Sequence, residues 1–299
     1  MLDRESTFAQ PELVQLLQSA FIPVAIDQAY QRRQKDTEGE FYRRIALQSP
    51  RNDFTNTTQG FYVASAGGEL LLFNNNRDPE KVLRLVRKSL EEHDSLKKDG
   101  FAAINAETKD PRWNVEPPEG GLVIRVRAKV LGGYEPTTNR WRKIFQSSLS
   151  RDNLWITANE HQALMEGRFE PSLEQRIARF HLVDNTRGEP PMWRKDELKS
   201  VKLRIDDAGL ISGSVNLATA DGARGYQATL RGRLKHDGKQ VTELELICSG
   251  EFWGHGRYTQ NPPAGKFPLA IAFTIADGTD VADAVPPQGS RGWVDGYLR

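Results

Sequence analysis

The sequence predicts a chain in two parts: an α/β domain over residues 1–93 and, after a linker over 94–120, a mainly antiparallel β domain over 121–299 with a few helices. Three observations carry that reading. The 299 residues suit two domains at ~150 residues each. Helical and strand-like periods alternate up to residue 92. From Ser200 onward short strands follow one another with turn residues between them, the pattern of an antiparallel meander that closes as a sandwich or part-barrel.

The elements of the first part follow in order. Pro11 and Glu12 suit a helix start, where a missing N–H costs nothing and a negative charge faces the positive dipole end. Leu13, Val14, Leu16, Leu17 and Ala20 then share one helical face. Phe21 to Ile26 is short and continuously apolar, the pattern of a strand covered on both faces, with Pro23 near its beginning. Asp27 to Gln48 predicts a helix interrupted around Gly39, and Ser49 to Gln59 a loop. Gly60–Ser65 and Glu69–Phe73 predict a hairpin turning at Ala66-Gly67-Gly68. Asp78-Pro79-Glu80 opens a last helix with Val82, Leu85, Val86 and Leu90 as its buried stripe. The stretch from His93 to Gly121 lacks periodicity and holds Pro111, Pro117 and Pro118, as a surface linker does.

In the second part, Leu122–Leu131 alternates apolar and charged residues as a half-exposed strand does. Arg140–Leu149, Ala158–Glu166 and Ser172–Leu182 predict helices. Val201–Ile205, Leu210–Ala218, Tyr226–Leu234, Val241–Cys248 and Leu269–Ile275 predict strands.

Composition excludes several function classes. Lys plus Arg is 41 against Asp plus Glu at 40, so a general nucleic-acid or anionic-membrane binder is not expected. No window approaches the ~20 apolar residues of a membrane span, and Met1 to Glu5 does not begin a secretory signal, so a cytoplasmic protein is expected. A single cysteine, Cys248, excludes an intrachain disulfide and a cysteine-rich metal site. Its alternation with Leu244 and Leu246 predicts a buried thiol. His93, His161, His181, His236 and His255 show no metal-binding spacing, and no phosphate loop, dinucleotide fingerprint or nucleophile elbow occurs. No metal and no cofactor is expected.

Two clusters combine His, Arg, a carboxylate and Trp in Gly- or Pro-rich surroundings: His181 to Trp193 and Gly250 to Tyr258. If the fold brings them together, His181, Asp184, Arg187, Trp193, Trp253, His255 and Tyr258 line a cleft for a polar or aromatic ligand. The competing reading is that Trp193 and Trp253 plug the ends of the β core. His181, Asp184 and His255 also suit a hydrolase or transferase centre, a weaker reading. Arg140-Trp141-Arg142-Lys143 is a small basic patch suited to local ion pairing.

Met1-Leu2-Asp3-Arg4-Glu5-Ser6-Thr7-Phe8, Pro11-Glu12-Leu13-Val14 and Phe21-Ile22-Pro23-Val24-Ala25-Ile26-Asp27 together resemble the thioredoxin-like domain of the spermatogenesis-associated/YyaL-type family. The resemblance covers residues 1–93 and implies an incomplete thioredoxin-like domain, with Gly60–Phe73 as hairpin and the helix after Pro79 as last helix. The family's Cys-x-x-Cys element would lie before Met1, and the first strand of the complete fold is absent. Where a cis-proline should precede the hairpin, this chain reads Thr57-Thr58-Gln59-Gly60. Redox work needs a thiolate stabilised at a helix N-terminus. The expected function is therefore a thioredoxin-like family protein, redox-inactive in this chain, with a β domain binding a partner or substrate. The redox residue is either lost or encoded upstream of Met1 as a cysteine or selenocysteine, and thiol–disulfide oxidoreductase activity is expected only in the second case. The alternative is a non-enzymatic ligand-binding protein using the Trp/His/Tyr cleft.

Overall fold

Proline at the first helical position and acidic side chains in the first turn start two of the helices that build the N-terminal core. In the computed structural model, which describes residues 6–50, 52–56, 59–96 and 109–299, these are α1 (Pro11–Ala20) and, after Asp78 caps it through the Lys81 N–H, a longer helix over Pro79–Ser95. Between them lie α2 (Gln28–Gln31), α3 (Thr37–Leu47) and the hairpin β1 (Phe61–Ala64) and β2 (Leu70–Asn74); the long helix is α4. Leu13 of α1 meets Val82, Leu83 and Val86 of α4, with Leu16, Leu17, Phe21, Phe61 and Leu72 packed around them. The chain divides between Val115 and Glu116 into two compact units.

Four expectations for the first unit change. Phe21–Ile26 is neither helix nor strand and joins no sheet among the described residues, and Ile22 and Val24 are 91% and 73% exposed. An apolar run becomes a covered strand only where neighbouring strands take up its N–H and C=O groups. The helical break falls at Arg32–Asp36 and not at Gly39, because Asp36 caps α3 through the Gly39 N–H at 3.0 Å. Gly39 sits inside α3, where a Cβ would lie 2.2 Å from the Gln34 carbonyl oxygen. In α4 Leu83 and Ser89 are buried, while Leu85 and Leu90 are half-buried. Finally, the described ends of the 94–120 stretch are anchored. Asp110 accepts from Lys35 N and donates its own N–H to Asp36, at 2.9 and 2.7 Å. Trp113 packs edge-on to Tyr30 with Arg33 and Arg112 over its ring. Met1–Glu5, Arg51, Thr57, Thr58 and residues 97–108 lie outside the described residues, and with them part of the quoted resemblance, the expected proline position and the middle of the expected linker.

The second unit is one seven-stranded antiparallel sheet. Its strands are β3 (Leu122–Val130), β4 (Asp152–Ile156), β5 (Leu198–Ile205), β6 (Leu210–Ala218), β7 (Gly225–His236), β8 (Val241–Trp253) and β9 (Lys266–Ile275), in the order β4-β3-β9-β8-β7-β6-β5. The sheet curls as a half-barrel, so the part-barrel reading holds and no sandwich forms. Strict alternation buries one face, with Tyr226, Leu230, Leu246, Cys248, Phe252, Phe267, Ile271 and Phe273 nearly inaccessible. Gly232 and Gly250 stand on that inner face, where a Cβ would come within 2.1 Å of the Glu245 carbonyl oxygen and 2.0 Å of that of Gln227.

Helices α5 (Arg140–Ser147), α6 (Ala158–Met165), α7 (Pro171–Arg176) and α8 (Val294–Leu298) complete the unit. Thr157 and Glu160 form a reciprocal capping box at α6. The helix expected over Ser172–Leu182 instead leaves the α geometry after Arg176 and widens to a π turn over Ile177–His181. Strand β4 was not expected; all five of its residues are buried.

Candidate functional site

The two polar–aromatic clusters meet. The first begins at the π turn, where the Trp193 N–H donates to the Arg179 carbonyl, Arg179 Nε donates back to the Trp193 carbonyl, and Trp193 Nε1 donates to the Leu182 carbonyl at 2.7 Å, closing the loop. Asp184 accepts from the Thr186 N–H and hydroxyl at 3.1 and 2.6 Å and pairs with Arg187. The Arg187 guanidinium then donates to the Gln260 carbonyl at 3.0 Å and to the Tyr134 hydroxyl at 2.6 Å. Burial pushes the Tyr134 phenol up, against the opposing pull of Arg187. The second cluster is thus clamped by the first. The clamp is close: a Cβ on Gly256 would lie 2.2 Å from Pro191 Cδ, and one on Gly188, at φ +155°, 2.2 Å from the Tyr258 carbonyl oxygen.

What meets is mostly interior. His181, Asp184, Arg187 and Trp193 are all buried, so they brace the contact and do not line an open cleft. Trp193 packs near Phe252 with the Arg224 guanidinium 3.8 Å from its ring centroid. Burial pushes Arg224 down to about 10, partly offset by Glu197, so it stays charged near neutrality. This is the plugging role for Trp193. Trp253 lies flat on Gly225, its Nε1 bonded to the Gly222 carbonyl at 2.9 Å and Lys266 Nζ 4.8 Å from the ring.

Beyond the strand, three side chains at the end of the second cluster face solvent. His255 and Arg257 are exposed, and Tyr258 is 58% exposed with Arg257 5.3 Å from its ring centroid. They sit between Gly254, at φ +81°, and the clamped Thr259, whose hydroxyl accepts from the Gly256 N–H at 2.7 Å. A fixed loop thus presents an imidazole, a guanidinium and a phenol to solvent.

The acid–base grouping of His181, Asp184 and His255 is not assembled. His181 is buried, and its Nε2 lies 2.6 Å from the Tyr297 hydroxyl while Nδ1 lies 3.1 Å from Asp152 Oδ2 without an aligned hydrogen bond. Asp152 accepts the Asn153 and Gln288 N–H groups. Burial raises the Tyr297 phenol well above its ordinary value, so it stays protonated. The set ties β4, the π turn and α8 together. Asp152, Tyr134 and Tyr297, distant in sequence from the residues they touch, carried no signal in the chain. Cys248 is buried, and burial pushes its thiol up to about 12; a protonated thiol in the sheet interior is no nucleophile.

Among the described residues no three His, Cys, Asp or Glu side chains are placed to hold a metal ion, and no helix is long and apolar enough to cross a membrane. No family model, no curated protein and no solved structure matches the chain.

Proposed function

We propose that the chain is a binding protein without thiol redox chemistry of its own, combining an incomplete thioredoxin-like unit with a β unit that recognises a partner or ligand through the 253–260 loop. The single observation that carries the binding reading is the exposed His255–Arg257–Tyr258 surface, fixed from behind by the buried Asp184–Arg187 clamp. Functional groups on a loop held by a rigid scaffold are positioned before the ligand arrives, so little ordering entropy is lost on binding. The imidazole, guanidinium and phenol suit a polar or aromatic group carrying negative charge. The inactivity reading rests on the buried, protonated Cys248. The thioredoxin-like reading is supported by the order helix, extended run, helices, hairpin, helix over residues 6–96, and the unpaired Phe21–Ile26 run departs from it.

Ligand-observed NMR against a set of small aromatic carboxylates tests the binding site. Compounds that bind the parent chain are expected to lose contact in His255→Ala/Arg257→Ala/Tyr258→Ala; binding unchanged in that variant removes the loop from the reading. Insulin reduction in the presence of dithiothreitol is expected to match the protein-free rate, and acceleration by this chain would overturn its redox inactivity.

A further inference from the structure

The outer face of the seven-stranded sheet carries cations that the fold itself leaves unpaired. Alternation turns nine basic side chains but only three acidic ones outward from β3 and β5–β9, in a protein whose net charge is +1. Some are satisfied internally: Arg233 and Lys235 hold Glu243, Lys266 holds Glu251, and Arg125 holds Asp277 and Asp283. Arg127, Lys129, Lys202, Arg204 and Arg231 have no carboxylate partner among the described residues.

Their placement is ordered by the strand register. One cross-strand row reads Arg204, Ser212, Arg231, Ile247, Ala272, Arg127. The adjacent row reads Lys202, Ser214, Thr229, Ser249, Ala270, Lys129. Each row thus has a cation at both ends and short side chains between, with Arg231 rising beside Ile247, itself 54% exposed. At ~4.8 Å per strand, the two walls stand about 24 Å apart along the sheet. Lys202 and Arg204 on one wall, and Arg127 and Lys129 on the other, each stand two residues apart on one strand, so each wall is a pair of neighbouring like charges that a partner's carboxylate would stabilise.

We infer that this face docks a partner protein through an acidic polypeptide segment, its carboxylates meeting Arg127, Arg204 and Arg231 around the apolar point at Ile247. Arginine forks match carboxylates in bidentate geometry, and a charged rim around an apolar centre is the anatomy of a protein interface. Nucleic acid fits less well. Neither row offers an aromatic platform on which bases could stack. The site is separate from the 253–260 loop, and its test leaves that loop intact.

Fluorescence anisotropy of a short labelled poly-L-glutamate peptide with the full chain tests the assignment. Binding is expected at low salt, weakening as salt is added. It should fall at least ~10-fold in Arg127→Glu/Arg204→Glu/Arg231→Glu, a loss equivalent to about 1.4 kcal/mol. It should be unchanged in Lys81→Glu/Arg84→Glu, which alters exposed side chains of α4 in the first unit. The milder Arg127→Gln/Arg204→Gln/Arg231→Gln, checked for parental circular dichroism, separates a binding loss from misfolding. Absence of peptide binding, or parental affinity in both triple variants, overturns the inference. So does tighter binding of poly-uridylate that the triple variants abolish, which would make the occupant a nucleic acid.

Discussion

Glu160 and Arg176, sixteen positions apart, form a fully enclosed ion pair in the second unit. The Arg176 guanidinium also donates to the Tyr297 carbonyl at 2.9 Å and to those of Trp155 and Leu298, and Glu160 accepts from Ser172 at 2.7 Å and the Thr157 N–H at 3.0 Å. Every nitrogen and oxygen of the two charged groups has a partner, the condition under which a buried pair repays its desolvation. Burial pushes the Glu160 carboxyl up, but the bonds from Arg176, Thr157 and Ser172 outweigh it and hold the group below its ordinary value. A depressed folded-state value gives stability that is present at neutral pH and lost as pH falls below the ordinary glutamate range and through that value. Arg176→Met and Glu160→Gln are each expected to lose about 3–5 kcal/mol at neutral pH, and the double variant much less than the sum. Urea melts of the four proteins check this, and Glu160→Gln should show a shallower loss of stability toward acid. Nothing in the sequence joins these two residues. By contrast, the clusters at His181–Trp193 and Gly250–Tyr258 were visible as unusual composition, and the structure does bring them together. Which members face inward was not visible, since Arg187 is buried only because distant carbonyls at Thr259 and Gln260 receive it.

At the scale of elements, legibility followed alternation. Strands β5 to β9 each have one wet face and one dry face, so period two showed through, and β6 falls on its expected bounds of Leu210–Ala218. Strand β4 has no wet face, and its Asp152 and Asn153 look like loop residues. Both take partners from a segment more than a hundred positions away, Asp152 accepting the Gln288 N–H and Asn153 Nδ2 reaching the Ala282 and Val285 carbonyls at 2.7 and 2.9 Å. Phe21–Ile26 failed in the opposite sense, as an apolar run without strand neighbours. The curl of the sheet also depends on particular residues. Gly250 lacks a side chain where β7 and β8 approach on the inner face, which lets the strands bend together. Gly250→Ala is expected to cost about 1–3 kcal/mol by overpacking against the β7 backbone. Ser249→Ala, one position along on the outer face, should stay within ~0.5 kcal/mol. Thermal melts of both separate a local steric demand from a general intolerance of β8 to substitution, and equal stability of the two variants would remove Gly250 from the account of the curl.

At the scale of the whole chain, each unit carries its own core, but they are unequal. The first buries Leu13, Val82, Leu83 and Val86 as its continuous cluster, whereas the second encloses Trp193, Tyr226, Phe252, Phe267 and Phe273 on the inner side of one sheet. The second unit is also closed by its own last residues: Tyr297 of α8 meets His181 at 2.6 Å and packs 5.2 Å from Phe180, and Arg176 takes the Tyr297 and Leu298 carbonyls. Residues 116–299 are therefore expected to fold alone as one cooperative unit, with the near-ultraviolet circular dichroism of fixed buried tryptophans. Removing Val294–Arg299 from that fragment would strip Arg176 of two acceptors and leave His181 Nε2 without its hydroxyl partner. Buried polar groups left unpaired cost about 1–3 kcal/mol each, more when charged. The shortened fragment should thus melt well below the intact one or lose its near-ultraviolet signal. A fragment that melts identically with and without α8 would mean that the curled sheet is held by its strands alone.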